Sequence, residues 1–146
     1  MLPSTATGVI TLQTSHLDDI FAHAREADPA ECCGLIGGTH TGETKSIYPL
    51  RNVATASHVS YEVAPEELFA AQREMRQRGE QLLAIYHSHP RSADPTPSET
   101  DVRQAYYPAA TYLIIGLGGP APVMQGFKIS EVERSWERVE YAVVDE

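Results

Sequence analysis

The run Leu82 to His87 is mostly apolar and ends in His87-Ser88-His89-Pro90, and it constrains the fold more than any other stretch of the chain. A strand that is apolar at successive positions faces water on neither side, so the run predicts a central strand covered on both faces. Thr111 to Leu117 (TYLIIGL) reads as a second buried strand. Residues i and i+2 of a strand point to the same side, so His87 and His89 can reach a single centre. Pro90 cannot donate to a sheet ladder and tends to end the strand just after the second imidazole. After seven more residues comes Ser98-Glu99-Thr100-Asp101. Asp101, delivered by a tight loop, could complete a two-histidine, one-carboxylate set with a fourth position open for water. An open position is the mark of a catalytic zinc site rather than a structural one.

The remaining chain supplies the layers. Val9 to Leu12 reads as a short strand, and Thr14-Ser15 offers an N-cap. Leu17, Ile20, Phe21 and Ala24 then recur at helical spacing, in a helix that stops before Pro29. Strands are expected over Glu31 to Ile36, ended by Gly37-Gly38, and over Thr44 to Leu50 and His58 to Val63. Ala64-Pro65-Glu66-Glu67 opens a second helix with the stripe Leu68, Ala71 and Met75, running to Gly79. Ser98 opens a short third helix, and Gln125 to Ile129 and Arg134 to Val144 suggest closing strands. The expected fold class is α/β, a mixed β-sheet sandwiched by helices.

With 146 residues the chain fits one domain, 1–146, which buries about 70% of the surface its unfolded form exposes. The net charge of −9 disfavours attraction to nucleic acid or to an anionic membrane. Cys32 and Cys33 are adjacent and cannot staple distant parts of the fold, so reduced thiols and a cytoplasmic location are expected. The first fourteen residues lack a basic region followed by an apolar run, so no signal peptide is expected, and no stretch approaches the ~18 apolar residues of a membrane span. Oligomeric state leaves no mark in the sequence.

Each part of the histidine motif has an ordinary reading on its own. A histidine near a strand end is often only hydrogen-bonded, and Ser98-x-x-Asp101 could be only a helix N-cap with an acidic residue at N3. Their convergence at the exit of a buried strand favours the metal reading, and a capping helix can hold Asp101 while its carboxylate faces an ion. Adjacent cysteines have the wrong spacing for structural zinc, and His16, His23, His40 and His58 form no comparable cluster.

The pattern H-x-H-P-x₇-S-x-x-D resembles the signature of the JAMM (MPN+, JAB1/MPN/Mov34) metallopeptidase family. Glu31-Cys32-Cys33-Gly34-Leu35-Ile36-Gly37 is similar to the E-x-C-G-hydrophobic-x-G strand of its small prokaryotic members. The resemblance implies a cytidine-deaminase-like architecture and a Zn²⁺ ion on His87, His89 and Asp101. It implies Glu31 as general acid/base and Ser98 as a hydrogen-bond donor near the bound water or the oxyanion. Cys33 matches a structural or substrate-lining cysteine, and Cys32 inherits no role. The implied activity is hydrolysis of a peptide or isopeptide bond at the C-terminal tail of a ubiquitin-like or sulfur-carrier protein, with the tail pairing to an exposed strand beside the metal. Two alternatives stay open at this point: a JAB domain of the DNA-repair-associated RadC type, and a non-catalytic scaffold for protein–protein contact.

Overall fold

The computed structural model describes residues 9–145. The elements run β1 (Ile10–Gln13), α1 (Thr14–Ala27), β2 (Cys33–Gly38), β3 (Thr44–Leu50), α2 (Pro65–Gln77), β4 (Gln81–His89), α3 (Glu99–Arg103), β5 (Thr111–Gly116), β6 (Val123–Ser130), β7 (Ser135–Val139) and β8 (Tyr141–Val144). Six strands form one sheet in the order β3-β2-β4-β5-β6-β7, and β1 pairs with β8 in a small parallel sheet. In the large sheet β4 and β5 are parallel and every other pair is antiparallel, so the sheet is mixed.

Both apolar runs lie at the middle of this sheet and feed two cores. Ile85, Tyr112 and Ile114 face the side covered by α2, packing with Leu35, Ala71 and Met75. Tyr86, Leu113 and Ile115 face the other side and pack with Ile20 and Ala24 of α1. The alternation of faces along β4 and β5 accounts for their lack of an apolar/polar rhythm. No helix among the described residues is long and apolar enough to cross a membrane. The expected absence of a signal peptide rests largely on residues 1–8, outside the described residues.

Four local expectations are corrected. The strand expected over Glu31 to Ile36 is shifted: β2 runs Cys33–Gly38, so Glu31 lies before it and both glycines lie within it. A Cβ on Gly38 would collide with the Glu43 carbonyl oxygen, so this glycine serves close approach within a strand rather than a turn. Thr14 is not an N-cap: α1 starts on it, and its hydroxyl is drawn across to Asp145 Oδ1 at 2.6 Å. Arg134 to Val144 is two strands that part at Glu140, β7 extending the large sheet and β8 leaving to pair with β1.

The fourth correction matters most for the site. His58 to Val63 forms no strand, although Val59, Tyr61 and Val63 alternate as a strand would; only Val63 makes an isolated bridge, to Asn52. The Asn52 side chain takes the backbone groups that a ladder would otherwise pair. Its Oδ1 accepts from Ala54 N at 2.9 Å and from Glu62 N at 3.0 Å, and its Nδ2 donates to Ser60 O at 3.0 Å. Val53 N also donates to Glu62 O at 2.8 Å, and the segment closes as a compact loop.

Candidate metal centre

His87 and His89 lie on the same face of β4 as Ile85, at the end of the strand. His87 is 1% exposed. Between them Ser88 points to the opposite face, where its Oγ accepts from Cys32 N at 2.8 Å while its own N–H donates to Cys32 O at 3.2 Å. These bonds extend the β2–β4 pairing past its last ladder partners, Cys33 and His87. They carry Glu31, just before β2, alongside the histidines. Ser88 has no role in the sequence reading, yet its place between two same-facing histidines is the available signal. A hydroxyl buried on the other face needs a partner.

Pro90 ends the strand as expected, and the chain turns with Ser92 N donating to His89 O at 3.1 Å. The loop then lies on the end of β5. A Cβ on Gly116 would stand 2.5 Å from Ser92 O and 2.8 Å from Pro95 Cδ, and Gly118 N donates to Ser92 O at 2.9 Å. Ser98 follows as the N-cap of α3. Its Oγ accepts from Asp101 N at 3.0 Å, and its N–H donates to Asp101 Oδ2 at 2.9 Å, the reciprocal bonds of a capping box.

The box aims the carboxylate. Asp101 Oδ2 lies 3.1 Å from His87 Nε2 and 3.0 Å from His89 Nε2, and the two Nε2 atoms are 3.3 Å apart. The three side chains form a group that could hold a metal ion. Burial alone would raise the Asp101 pKa, but His87, together with hydrogen bonds from both imidazoles and the Ser98 amide, pulls it far below the usual carboxylate range. Burial alone would lower the His87 pKa, but the attraction and hydrogen bond of Asp101 outweigh it and raise the value.

Glu31 is 5% exposed, and its Oε1 has no hydrogen-bond partner among the described residues. Burial raises its pKa, partly offset by attraction to His87 and His89. Tyr61, carried by the loop that Asn52 organises, lays its ring over His87 with centroids 4.7 Å apart and planes 31° apart. The same ring helps to line a cavity of about 380 Å³ with Leu35, Val63, Leu68, Ile85 and Tyr112. Tyr61 lies in a segment expected to be a strand and Asn52 between two expected strands, so neither is expected in the site.

The cysteines point to opposite sides of the sheet, Cys33 into the α2 core and Cys32 into the α1 core. Burial pushes their thiols up to about 11 for Cys32 and about 12 for Cys33, so both are protonated at neutral pH and poor nucleophiles. Cys33 Sγ contacts Leu50 O at 3.8 Å, a structural position. Of the other histidines, His16 bonds Thr44 and His23 bonds Tyr86, while His40 and His58 are exposed.

Fold and geometry together define an α/β domain with a candidate three-donor metal centre at the exit of a central strand. The chain belongs to the prokaryotic homologs of the JAB domain, a family that it matches over residues 13–138. It is 37% identical to a desampylase of Haloferax volcanii over 115 residues, covering 75% of this chain and 82% of the relative. It is 34% identical to a probable TtuB-protein conjugate cleaving protease of Thermus thermophilus (70% and 67% covered) and 30% identical to a CysO-cysteine peptidase of Mycobacterium tuberculosis (77% and 76%). A solution structure of a Desulfitobacterium hafniense protein superposes with a TM-score of 0.83 at 34% identity, covering 94% of each chain. A JAB1/MPN domain protein from Archaeoglobus fulgidus shares the fold at a TM-score of 0.62 and 19% identity, with 94% of this chain and 99% of that one covered.

Proposed function

We propose that this protein is a zinc-dependent peptidase or isopeptidase that cleaves at the C-terminal tail of a ubiquitin-like or sulfur-carrier protein. The donor triangle is the observation that carries the reading. Tetrahedral zinc with Zn–N and Zn–O distances of about 2.0–2.1 Å holds its ligand atoms about 3.3 Å apart. The three donor atoms stand 3.0–3.3 Å from one another. Two imidazoles and a carboxylate also match the donor chemistry of a catalytic zinc, and three protein ligands leave one position for water.

A zinc ion held by His87, His89 and Asp101 would polarise a scissile carbonyl and bring the pKa of water down to about 7. The chain's own residues supply the proton traffic. The buried Glu31 carboxylate takes a proton at Oε1 and returns it to the departing amine, a role worth about 10²–10⁴-fold in rate. Ser98 Oγ uses a lone pair on the Asp101 amide, leaving its hydroxyl proton to stabilise the oxyanion. A scaffold would gain nothing from an unpaired buried carboxylate oxygen, which costs about 1–3 kcal/mol in a folded protein.

The substrate class follows the relatives, one of whose names is a conjugate cleaving protease and another a CysO-cysteine peptidase. A tail cannot add to β4 itself, because β2 and β5 occupy both of its edges. A cavity lies on the same face, and Tyr61, whose ring covers His87, forms part of its wall. A cytoplasmic location accompanies this reading, supported by two buried thiols on opposite sheet faces.

The test incubates zinc-loaded protein with a ubiquitin-like carrier extended at its C-terminus and reads the product by intact mass. Cleavage that stops with a chelator is expected, as is a Glu31→Gln variant that keeps its zinc and loses hydrolysis. Full activity in that variant removes Glu31 from the chemistry. Tight carrier binding without zinc or cleavage restores the scaffold.

A further inference from the structure

Glu31 lies between α1 and β2, outside both, so no ladder holds its backbone. Both of its main-chain groups go to one loop. Its N–H donates to Ser57 O at 2.7 Å, and its carbonyl accepts from Asn52 Nδ2 at 2.9 Å. The same Nδ2 donates to Ser60 O at 3.0 Å and reaches Ser57 O at 3.4 Å, while Oδ1 takes the amides of Ala54 and Glu62. One side-chain amide therefore ties together the two ends of the loop, its middle and the residue that carries the unpaired carboxylate. Its orientation is fixed by its partners. Turned over, the amide would set its oxygen against carbonyl oxygens and its nitrogen against N–H groups.

The loop carries a second group into the site. Tyr61 stands between Ser60 and Glu62, both bonded to Asn52, and its ring lies on His87. The three metal-donor residues are held independently, His87 and His89 by the β4 ladders and Asp101 by its capping box. The donors are thus held without the loop, whereas Glu31, brought beside them by the Cys32–Ser88 bonds, and Tyr61 have a single half-buried side chain in common.

We propose that Asn52 is a positioning residue for the reaction: its amide clamps the 53–62 loop to the Glu31 backbone and so registers the Glu31 carboxylate and the Tyr61 ring on His87. This rests on Glu31 acting as the acid/base proposed above. Leucine or alanine at 52 would lose every bond. Aspartate keeps the acceptor for Ala54 and Glu62 but sets an oxygen against the Glu31 carbonyl, so it opens the clamp with the least disturbance to the loop.

The test compares Asn52→Asp and Asn52→Ala with the zinc-loaded wild type. Displacement of a reacting group by about 1 Å costs on the order of 10²-fold. A fall in kcat of about 10–100-fold is therefore expected, at unchanged zinc stoichiometry and affinity. Amide hydrogen exchange supplies a readout besides activity: the Glu31 N–H becomes fast in both variants, while the Ile85 and Tyr86 amides of β4 stay protected. In a Glu31→Gln background Asn52→Asp costs a smaller fold of the residual rate than in the wild type, since the carboxylate has gone and only the Tyr61 ring is left for it to position. Wild-type kcat in Asn52→Asp, an unchanged Glu31 exchange rate, or the same fold loss with and without Glu31 overturns the proposal. If Glu31→Gln alone keeps full activity, the acid/base reading fails instead, and the exchange rates still decide whether the clamp exists.

Discussion

Ser98 is asked to cap a helix and to donate to an oxyanion, and its hydrogen bonds make the two roles compatible. The cap uses an oxygen lone pair and the backbone N–H, and neither consumes the hydroxyl proton. Substitution separates the roles by size. Ser98→Ala loses the cap, worth about 1 kcal/mol of stability, and the donor, worth about 10²–10³ in rate. Ser98→Thr keeps a hydroxyl that can do both. The expected result is a slightly lower melting temperature with a large loss of kcat in the alanine variant, and substantial recovery of both in the threonine variant. An alanine variant that melts early but hydrolyses at the wild-type rate would leave Ser98 as a cap alone. The sequence already shows the cap, because Ser-x-x-Asp is a local pattern. Glu31 is different: its place beside the histidines depends on β2 pairing with β4 in the register Cys33 to His87, which no local spacing reveals.

At the scale of elements, the loop between β4 and α3 is held by what β5 lacks. Gly116 leaves room for Ser92 O and Pro95, and Pro95 is buried there. Gly116→Ala puts a methyl group where backbone and a proline ring already sit, an overpacking that typically costs about 1–3 kcal/mol. That loop leads into α3, which carries Asp101, so weaker zinc binding in a competition titration is expected alongside the lower stability. Unchanged zinc affinity would show that the capping box holds Asp101 without help from the loop. The central strands are legible because an apolar run can hide only between two layers. The His58–Val63 segment misleads for an equally physical reason. Its alternation is real, but it places Tyr61 and Val63 against the α2 core from a loop, and the ladder bonds that would make it a strand are taken by one asparagine. The split at Glu140 is also invisible locally, since the partner of β8 is β1, at the other end of the described chain.

Across the whole molecule, α1 is fastened to the sheet by more than its apolar stripe. His23 Nδ1 lies 2.7 Å from the hydroxyl of Tyr86, whose ring is fully buried in β4 on the face opposite His87. Burial lowers the His23 pKa, with Glu26 opposing the shift. Above the ordinary histidine value of about 6.5 the ring is neutral whether the chain is folded or not, and the contact contributes in full. As the pH falls through that value towards the lower folded one, the unfolded chain binds protons that the folded chain refuses, so stability falls with pH. His23→Gln can still accept from Tyr86 but cannot titrate. Thermal melts of zinc-loaded protein at pH 7.5 and 5.5 should therefore show a smaller drop for the variant than for the wild type. The candidate metal centre is the same in both proteins, so the difference between the two drops isolates His23. Equal drops would mean that the α1 layer is held without any contribution from the protonation state of this ring.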